Sequence, residues 1–361
     1  MAEGRIGPGV AGFVFASFAV SWAWLNYSWF ASAFDTDDWV FRLATMVQMV
    51  GVVVLALGLP QMFASIDRGG TLDLGVMVAG YVVMRVALVF LWWQVSRHGA
   101  RHRATARSYM STIGVAQIGW VALALADIPV AAAFALVVPL LVLEMVGPFV
   151  AERKGGTPWH AHHIAERYGL LVIITVGEVI SGTVASLDVL VHGKGGWSLD
   201  AALLTAAGIG LAFGCWWMYF IIPWAEPLAR HRERGFAFGY GHLVIFASLA
   251  ATGAGVSVAA RQLGHEVAID PTTTILMVAA PLAIYVGVLY LLYTVVMHER
   301  DPFHVALLAA TALLVSLPIA LAAAGVGTAV CVLLLTLVPA VTVVGYETLG
   351  HRHVADALDR L

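Results

Sequence analysis

Long apolar segments, separated by short polar turns, fill almost the whole chain. A bilayer core of about 30 Å is crossed by roughly 20 apolar residues in a helix, which satisfies its own backbone hydrogen bonds in lipid. The segments therefore predict an all-α fold, a polytopic bundle of about 11 transmembrane helices. These helices are predicted near residues 9–33, 39–63, 72–95, 104–125, 128–151, 158–188, 199–222, 238–260, 272–297, 303–323 and 326–347.

The turns between these helices are too short to hold a soluble domain, so we expect a single membrane domain over residues 1–361. Of the residues, 61% are hydrophobic and 11% charged, against roughly 25% charged in a soluble domain. The lipid bilayer is thus the expected partner. A net charge of only -3 excludes a basic surface for nucleic acid. Cys215 and Cys331 lie in apolar segments and predict neither a disulfide nor a cofactor.

The distribution of Lys and Arg predicts the orientation, because positive loops stay in the cytoplasm. The loops after odd-numbered helices and the C-terminal tail hold twelve of them, against four on the other side. The twelve are Arg97, Arg101, Arg103, Arg107, Arg153, Lys154, Arg230, Arg232, Arg234, Arg300, Arg352 and Arg360; the four are Arg5, Arg68, Lys194 and Arg261. We therefore expect the C-terminus in the cytoplasm and the N-terminus outside.

The sixth predicted helix carries the densest set of ionisable residues. Thr157 and Pro158 form a typical start for this helix. At 100° per residue, one stripe contains His160, His163, Arg167, Ile174, Glu178 and Ser181, and a neighbouring strip contains His162 and Glu166. One interpretation is an ionisable path from a cytoplasmic vestibule to mid-membrane. The other is that the outer residues only form interfacial hydrogen bonds and i, i+4 pairs.

Charged side chains at mid-membrane cost at least about 2.5 to 3.5 kcal/mol, so each needs a reason. Glu178 lies deepest in the sixth helix, and Arg85 in the third helix has a similar estimated depth. We therefore predict that these two form an ion pair. Glu144 in the fifth helix is a further candidate of this site, although snorkelling to the interface or a local pair would also explain it. His242 is assigned to the vestibule, and a satisfied interhelical contact is its alternative.

An acidic turn precedes the second predicted helix. Asp35, Asp37 and Asp38 suit helix capping, and Asp38 can pair with Arg42 one turn on. Because this turn is predicted on the same side as the histidines, its carboxylates and the imidazoles are also candidate ligands for Zn or Mn. The spacing matches no established zinc motif, so the metal is left undefined.

A weak internal echo links Trp22-Ala23-Trp24 in the first helix to Trp216-Trp217 in the seventh. Such an echo suits a parallel repeat of two six-helix units. Interfacial aromatic belts would explain the same residues.

The chain also resembles the bacterial low temperature requirement A (LtrA) family. The resemblance is carried by Trp22-Ala23-Trp24, Phe34 to Asp38, Arg85, Glu144, and above all Thr157 to Gly169 followed by Gly177-Glu178. It implies a multi-pass protein of the bacterial plasma membrane, a contribution to growth in the cold and no established substrate. Members usually begin with one more acidic helix, so we expect a six-plus-six repeat lacking its first helix here. Relatives often place Asp at the position of Ile221, which implies that a polar site has been lost.

Three functions are consistent with these residues. The first is a secondary transporter or ion-conducting protein that moves an unknown small molecule or ion, with Glu178 as the proton or cation site. The second is an intramembrane metal-dependent enzyme at the cytoplasmic face, using Asp35, Asp37, His163 and Glu166. The third is a structural or cold-adaptation membrane protein in which the charges only hold helices together.

Overall fold

The computed structural model describes residues 6–192, 196–298 and 302–353, and most of these residues are helical. Eleven helical segments in these ranges are long and apolar enough to cross a membrane. The predicted all-α transmembrane fold is therefore confirmed. Extended pairing within the described ranges is limited to one antiparallel bridge, between Thr71 and Pro129.

The helices form two compact units, one ending at His160 and the other beginning at Ala161. The first contains α1 (Ile6–Phe34), α2 (Trp39–Arg68), α3 (Gly75–His98), α4 (Arg103–Leu125) and α5 (Val130–Glu152). The second contains α6 (Ala161–His192), α7 (Leu199–Phe220), the short α8 (Ala225–Arg230), α9 (Gly235–Leu263), α10 (Pro271–Met297), α11 (Pro302–Ala323), and an eleventh span made of α12 (Thr328–Leu335), α13 (Leu337–Gly345) and a π-helical turn (Tyr346–Gly350).

The boundary between the units leaves five of the described spans in the first and six in the second. A six-plus-six repeat lacking its first helix would have the same numbers of spans. The repeat itself, and the single membrane domain over the whole chain, stay predictions.

The acidic turn before α2 caps that helix as predicted. Asp38 Oδ1 accepts a hydrogen bond of 2.8 Å from the Phe41 amide, which helps to hold the pKa of Asp38 below its ordinary value. The predicted pair with Arg42 is wrong in one detail, because Arg42 Nη2 lies 3.0 Å from Asp37 Oδ1. The carboxylate of Asp38 is already engaged by Phe41 and by the Thr36 hydroxyl at 2.9 Å.

The start of α6 also differs from the prediction. The helix begins at Ala161, so neither Thr157 nor Pro158 starts it, and His160 lies before it. The amide and hydroxyl of Thr157 instead donate to Glu152 at the end of α5, at 2.8 and 2.9 Å. The Thr157 hydroxyl, which would cap a helix, is thus bonded to the carboxylate of the preceding helix.

Close packing of α2 on α3 positions the middle of the first unit. A methyl group added at Gly51 would lie 2.7 Å from the Gly80 carbonyl oxygen and 2.9 Å from the Met84 amide nitrogen. Two backbones thus approach each other where a side chain would separate them, as small residues permit between membrane helices.

We expect Gly51→Ala to destabilise the protein by about 1 to 3 kcal/mol, because the helices must separate to admit the methyl group. Gly114→Ala in α4 is the matched control, because a methyl group there meets nothing within 4 Å. Unfolding in detergent micelles measures the stability of both variants. Equal stabilities for the two would contradict the close approach of α2 and α3.

Candidate functional site

A buried ion pair occupies the middle of the first unit. The Arg85 guanidinium, on α3, donates from Nη2 to Glu144 Oε2 on α5 at 2.8 Å, and each side chain is 4% exposed. Removing two charges from water costs several kcal/mol per ion, which the attraction between them offsets only with good geometry and further hydrogen bonds. The structure supplies such bonds to the carboxylate.

Two indoles complete the surroundings of Glu144. Trp22 Nε1 on α1 donates to Oε2 at 2.7 Å, and Trp120 Nε1 on α4 donates to Oε1 at 3.3 Å. A carboxylate oxygen accepts hydrogen bonds, so both indole N–H groups have an acceptor on this buried side chain. Side chains from α1, α3 and α4 thus converge on one acidic group of α5.

Tyr81 offers Arg85 a second, neutral partner. Arg85 Nη2 donates to the Tyr81 hydroxyl at 3.1 Å, and the guanidinium carbon lies 4.8 Å from the centre of the Tyr81 ring. The ring face attracts a cation. Arg85 Nη1 is buried and has no hydrogen-bond partner among the described residues. The contacts of Arg85 with the Tyr81 hydroxyl and ring do not depend on the charge of Glu144.

Two small cavities touch Glu144. One has about 20 Å³ of water-accessible space, and the other has about 10 Å³. We call them the apolar cavity and the polar cavity. The apolar cavity is lined by Phe15, Phe18, Ala19, Met77, Val78, Tyr81, Trp120, Leu141 and Glu144. The polar cavity is lined by Asn26, Tyr109, Thr112, Ile113, Leu143, Glu144 and Pro148. A volume of roughly 10 to 15 Å³ holds about one water molecule.

The two cavities lie toward opposite ends of the first unit. Met77 is near the start of α3 and Leu141 is one turn before Glu144, so the apolar cavity lies toward the start of α5. Tyr109 is near the start of α4 and Pro148 is one turn after Glu144, so the polar cavity lies toward the end of α5. Glu144 therefore separates them.

The predicted ion pair between Arg85 and Glu178 is wrong, since Arg85 pairs with Glu144. Glu178 lies in the second unit, is exposed, and follows Gly177, where an added methyl group would meet nothing within 4 Å. The error has a physical cause. Counting residues estimates the depth of a Cα atom, but it gives neither the neighbouring helix nor the reach of a long Arg side chain.

The predicted vestibule residues are divided between the two units. Asp35, Asp37, Asp38 and His160 are exposed in the first unit, and the others lie in the first turns of α6. There His162, His163 and Glu166 are exposed and Arg167 is half-buried. Within the described ranges, no three His, Cys, Asp or Glu residues are grouped in a way that could hold a metal ion. The metal-site hypothesis thus gains no ligand set from this arrangement.

His242 is enclosed rather than placed in a vestibule. It is fully buried on α9, with Nδ1 2.7 Å from the Phe238 carbonyl and Nε2 2.8 Å from the Tyr219 hydroxyl. A carbonyl only accepts, so Nδ1 carries the proton and Nε2 accepts from Tyr219. This is the interhelical contact that the sequence allowed as the alternative.

Sequence reasoning missed the indole and phenol partners of the ion pair. The sequence places Trp22 only in an aromatic motif, and Trp120 and Tyr81 lie in apolar segments that give no local signal. Buried Trp and Tyr need a hydrogen-bond partner. The signal that could have found these partners is a mid-membrane carboxylate together with several Trp residues in the middle of helices.

With this geometry established, comparison with known proteins identifies the family. The family model of the bacterial low temperature requirement A protein (LtrA) matches residues 1–339. The chain belongs to the LtrA family. It is a multi-pass membrane protein, as its helices indicate. The expected resemblance is thereby confirmed.

Individual relatives of this LtrA protein add little about activity. An uncharacterized protein of Rhizobium meliloti (strain 1021) is 26% identical over 259 residues, which are 66% of this chain and 59% of that protein. The match thus covers less than two thirds of that relative's length. No solved structure matches the chain.

The second unit of this LtrA protein repeats one part of the site. Trp217 Nε1 on α7 donates to Glu347 in the eleventh span at 3.2 Å, as Trp22 on α1 donates to Glu144 in the fifth. The two residues of the second bond lie six spans after those of the first, and the repeat stays a prediction. The later bond is exposed. Ile221 lines another cavity of about 30 Å³ in this unit, and the loss of a polar site at this position stays a prediction.

Proposed function

We propose that this protein is a secondary transporter or ion-conducting protein that moves protons across the membrane, with Glu144 as the proton site and Arg85 as its counter-charge. The observation that carries the proposal is the position of Glu144, which is a buried carboxylate between two cavities toward opposite ends of the helices. Buried ionisable groups are typical of proton pathways in membrane proteins.

The sizes of the cavities favour a proton as the transported species. With 20 and 10 Å³, each has room for about one water molecule, and a hydrated metal ion or an organic solute needs far more space. Protons pass along hydrogen-bonded groups without an open channel. The proton site of this proposal is therefore Glu144, in place of the exposed Glu178.

Arg85 and Tyr81 allow Glu144 to gain and lose a proton. When Glu144 is ionised, Arg85 Nη2 donates to it at 2.8 Å. When Glu144 takes a proton, its charge is neutralised and the attraction weakens, while Tyr81 still contacts the guanidinium through its hydroxyl and ring. The arginine then keeps a partner, and the carboxyl group is released toward either cavity.

The basic residues support an orientation for this pathway. With the C-terminus in the cytoplasm, the end of α5 and the acidic turn around Asp37 face the cytoplasm. The polar cavity then lies on the cytoplasmic side of Glu144. In this proposal, the exposed carboxylates and histidines of the predicted vestibule attract protons to the cytoplasmic surface of their own unit.

A structural role is the competing explanation. The indoles of Trp22 and Trp120 bond to the carboxylate, so the cluster also joins four helices. A purely structural cluster would stabilise the protein without moving protons. Proton flux, measured apart from stability, distinguishes the two.

The test is proton uptake by liposomes that contain the purified protein. A potassium diffusion potential drives protons inward, and an enclosed pH-sensitive dye reports them. We expect uptake with the natural protein and a decrease of about a hundredfold for Glu144→Gln, since glutamine cannot accept the proton. Asp127→Asn, which removes an exposed carboxylate of the same unit that is not part of the predicted vestibule, is the control and should retain the flux. Equal flux with Glu144→Gln and the natural protein would contradict the proposal.

A further inference from the structure

Glu152, at the end of α5, is the second carboxylate of the first unit that several donors surround. Its Oε1 accepts from Tyr109 at 2.8 Å, from Trp29 Nε1 at 3.1 Å and from the Thr157 hydroxyl at 2.9 Å. Its Oε2 accepts from the Thr157 amide at 2.8 Å. Unlike Glu144, Glu152 is only half-buried, so this carboxylate is close to the surface of the unit.

Tyr109 links this carboxylate to the interior. Its hydroxyl donates to Glu152, and its side chain lines the polar cavity together with Glu144. The ring is 3% exposed and stacks on Trp92, with 4.1 Å between the centres and 7° between the planes. The phenol is therefore held in one orientation between the two acidic residues.

The gap between the two carboxylates suits one phenol and one water molecule. Glu144 and Glu152 are eight residues apart on one helix, which corresponds to about 12 Å along its axis. Pro148 lies between them and has no amide hydrogen to donate to the Glu144 carbonyl. Asn26 and Thr112, which line the same cavity, give it polar groups that can bind water.

From this geometry we propose that Tyr109 and Glu152 form a proton relay that connects Glu144 to the end of α5. The relay rests on the proposed function and adds its route. Glu144 gives its proton to a water molecule in the polar cavity, and that water gives one to the Tyr109 oxygen. At the same time the hydroxyl proton of Tyr109 passes to Glu152 Oε1, which releases it to solvent. One proton moves, and Tyr109 ends neutral.

The relay is tested with Tyr109→Phe and Glu152→Gln in the same liposome assay. Each keeps nearly the same shape and removes one group that carries the proton. We expect the proton flux to fall at least about tenfold in both, as for other positioned proton-transfer groups. Tyr27→Phe is the matched control, because the Tyr27 hydroxyl lies in the same unit and faces Thr45 at 3.2 Å. It should keep the flux of the natural protein.

The outcomes separate the relay from the proposed function. If the natural protein conducts protons and Glu144→Gln does not, a normal flux in a folded Tyr109→Phe or Glu152→Gln variant overturns the relay alone. If the natural protein conducts no protons, both proposals fail. Size-exclusion chromatography checks folding, and if one variant is aggregated, the other decides.

Discussion

Replacing Glu144 by Gln is expected to destabilise the protein by about 3 to 5 kcal/mol, because the change leaves Arg85 as an uncompensated buried charge. Arg85→Gln should have an effect of similar size for the reverse reason. The double variant, Glu144→Gln with Arg85→Gln, should be more stable than the sum of the single effects predicts, because no buried charge remains. Denaturant unfolding in detergent micelles measures all three.

The exposed pair of Asp37 and Arg42 is the control for this cycle. Their side chains are 80% and 65% exposed, and exposed ion pairs contribute little to stability. Asp37→Asn should therefore change the unfolding free energy by no more than the measurement error. Additive effects at Arg85 and Glu144 would contradict the buried ion pair.

Replacing His242 by Leu is expected to cost about 1 to 3 kcal/mol, because the buried Tyr219 hydroxyl loses its acceptor. Adding Tyr219→Phe removes that hydroxyl and should restore part of the loss. The residue lies among Tyr168, Phe238 and Phe246, so leucine keeps an apolar contact there.

The same two variants separate a structural histidine from a functional one. In our account the folded double variant, His242→Leu with Tyr219→Phe, conducts protons at the natural rate. Thermal unfolding and the liposome assay are the two measurements. A folded double variant without flux would place His242 or Tyr219 in the proton pathway, as the vestibule interpretation of the sequence predicts.

The helices were predictable because lipid imposes a length and an apolar composition on each span. The division into units was not predicted, because the short turns between spans indicate one membrane domain over the whole chain. The first residue of a helix was harder to predict. Thr157 has the chemistry of a cap, yet it binds Glu152, and no local pattern shows that a carboxylate five residues earlier competes for it.

Local sequence patterns could not predict which residues pair within the candidate site. The sequence indicates that Arg85 needs a buried carboxylate, and it offers Glu178 at a similar estimated depth and Glu144 nearer the end of its helix. Choosing between them requires knowing which helices are neighbours, and that depends on packing such as the close approach at Gly51. The hydrogen bonds of Glu152 could not be predicted for a different reason. An acidic residue at a helix end usually faces water.

Proton flux through the double variant, Glu144→Gln with Arg85→Gln, tests the central claim most directly, because it removes the proton site while avoiding an unpaired buried charge. The folded double variant and the natural protein are placed in liposomes at equal density, and proton uptake is followed under the same membrane potential. Our account predicts flux with the natural protein and none above empty liposomes with the variant. Equal flux through both would show that Glu144 is not the proton site.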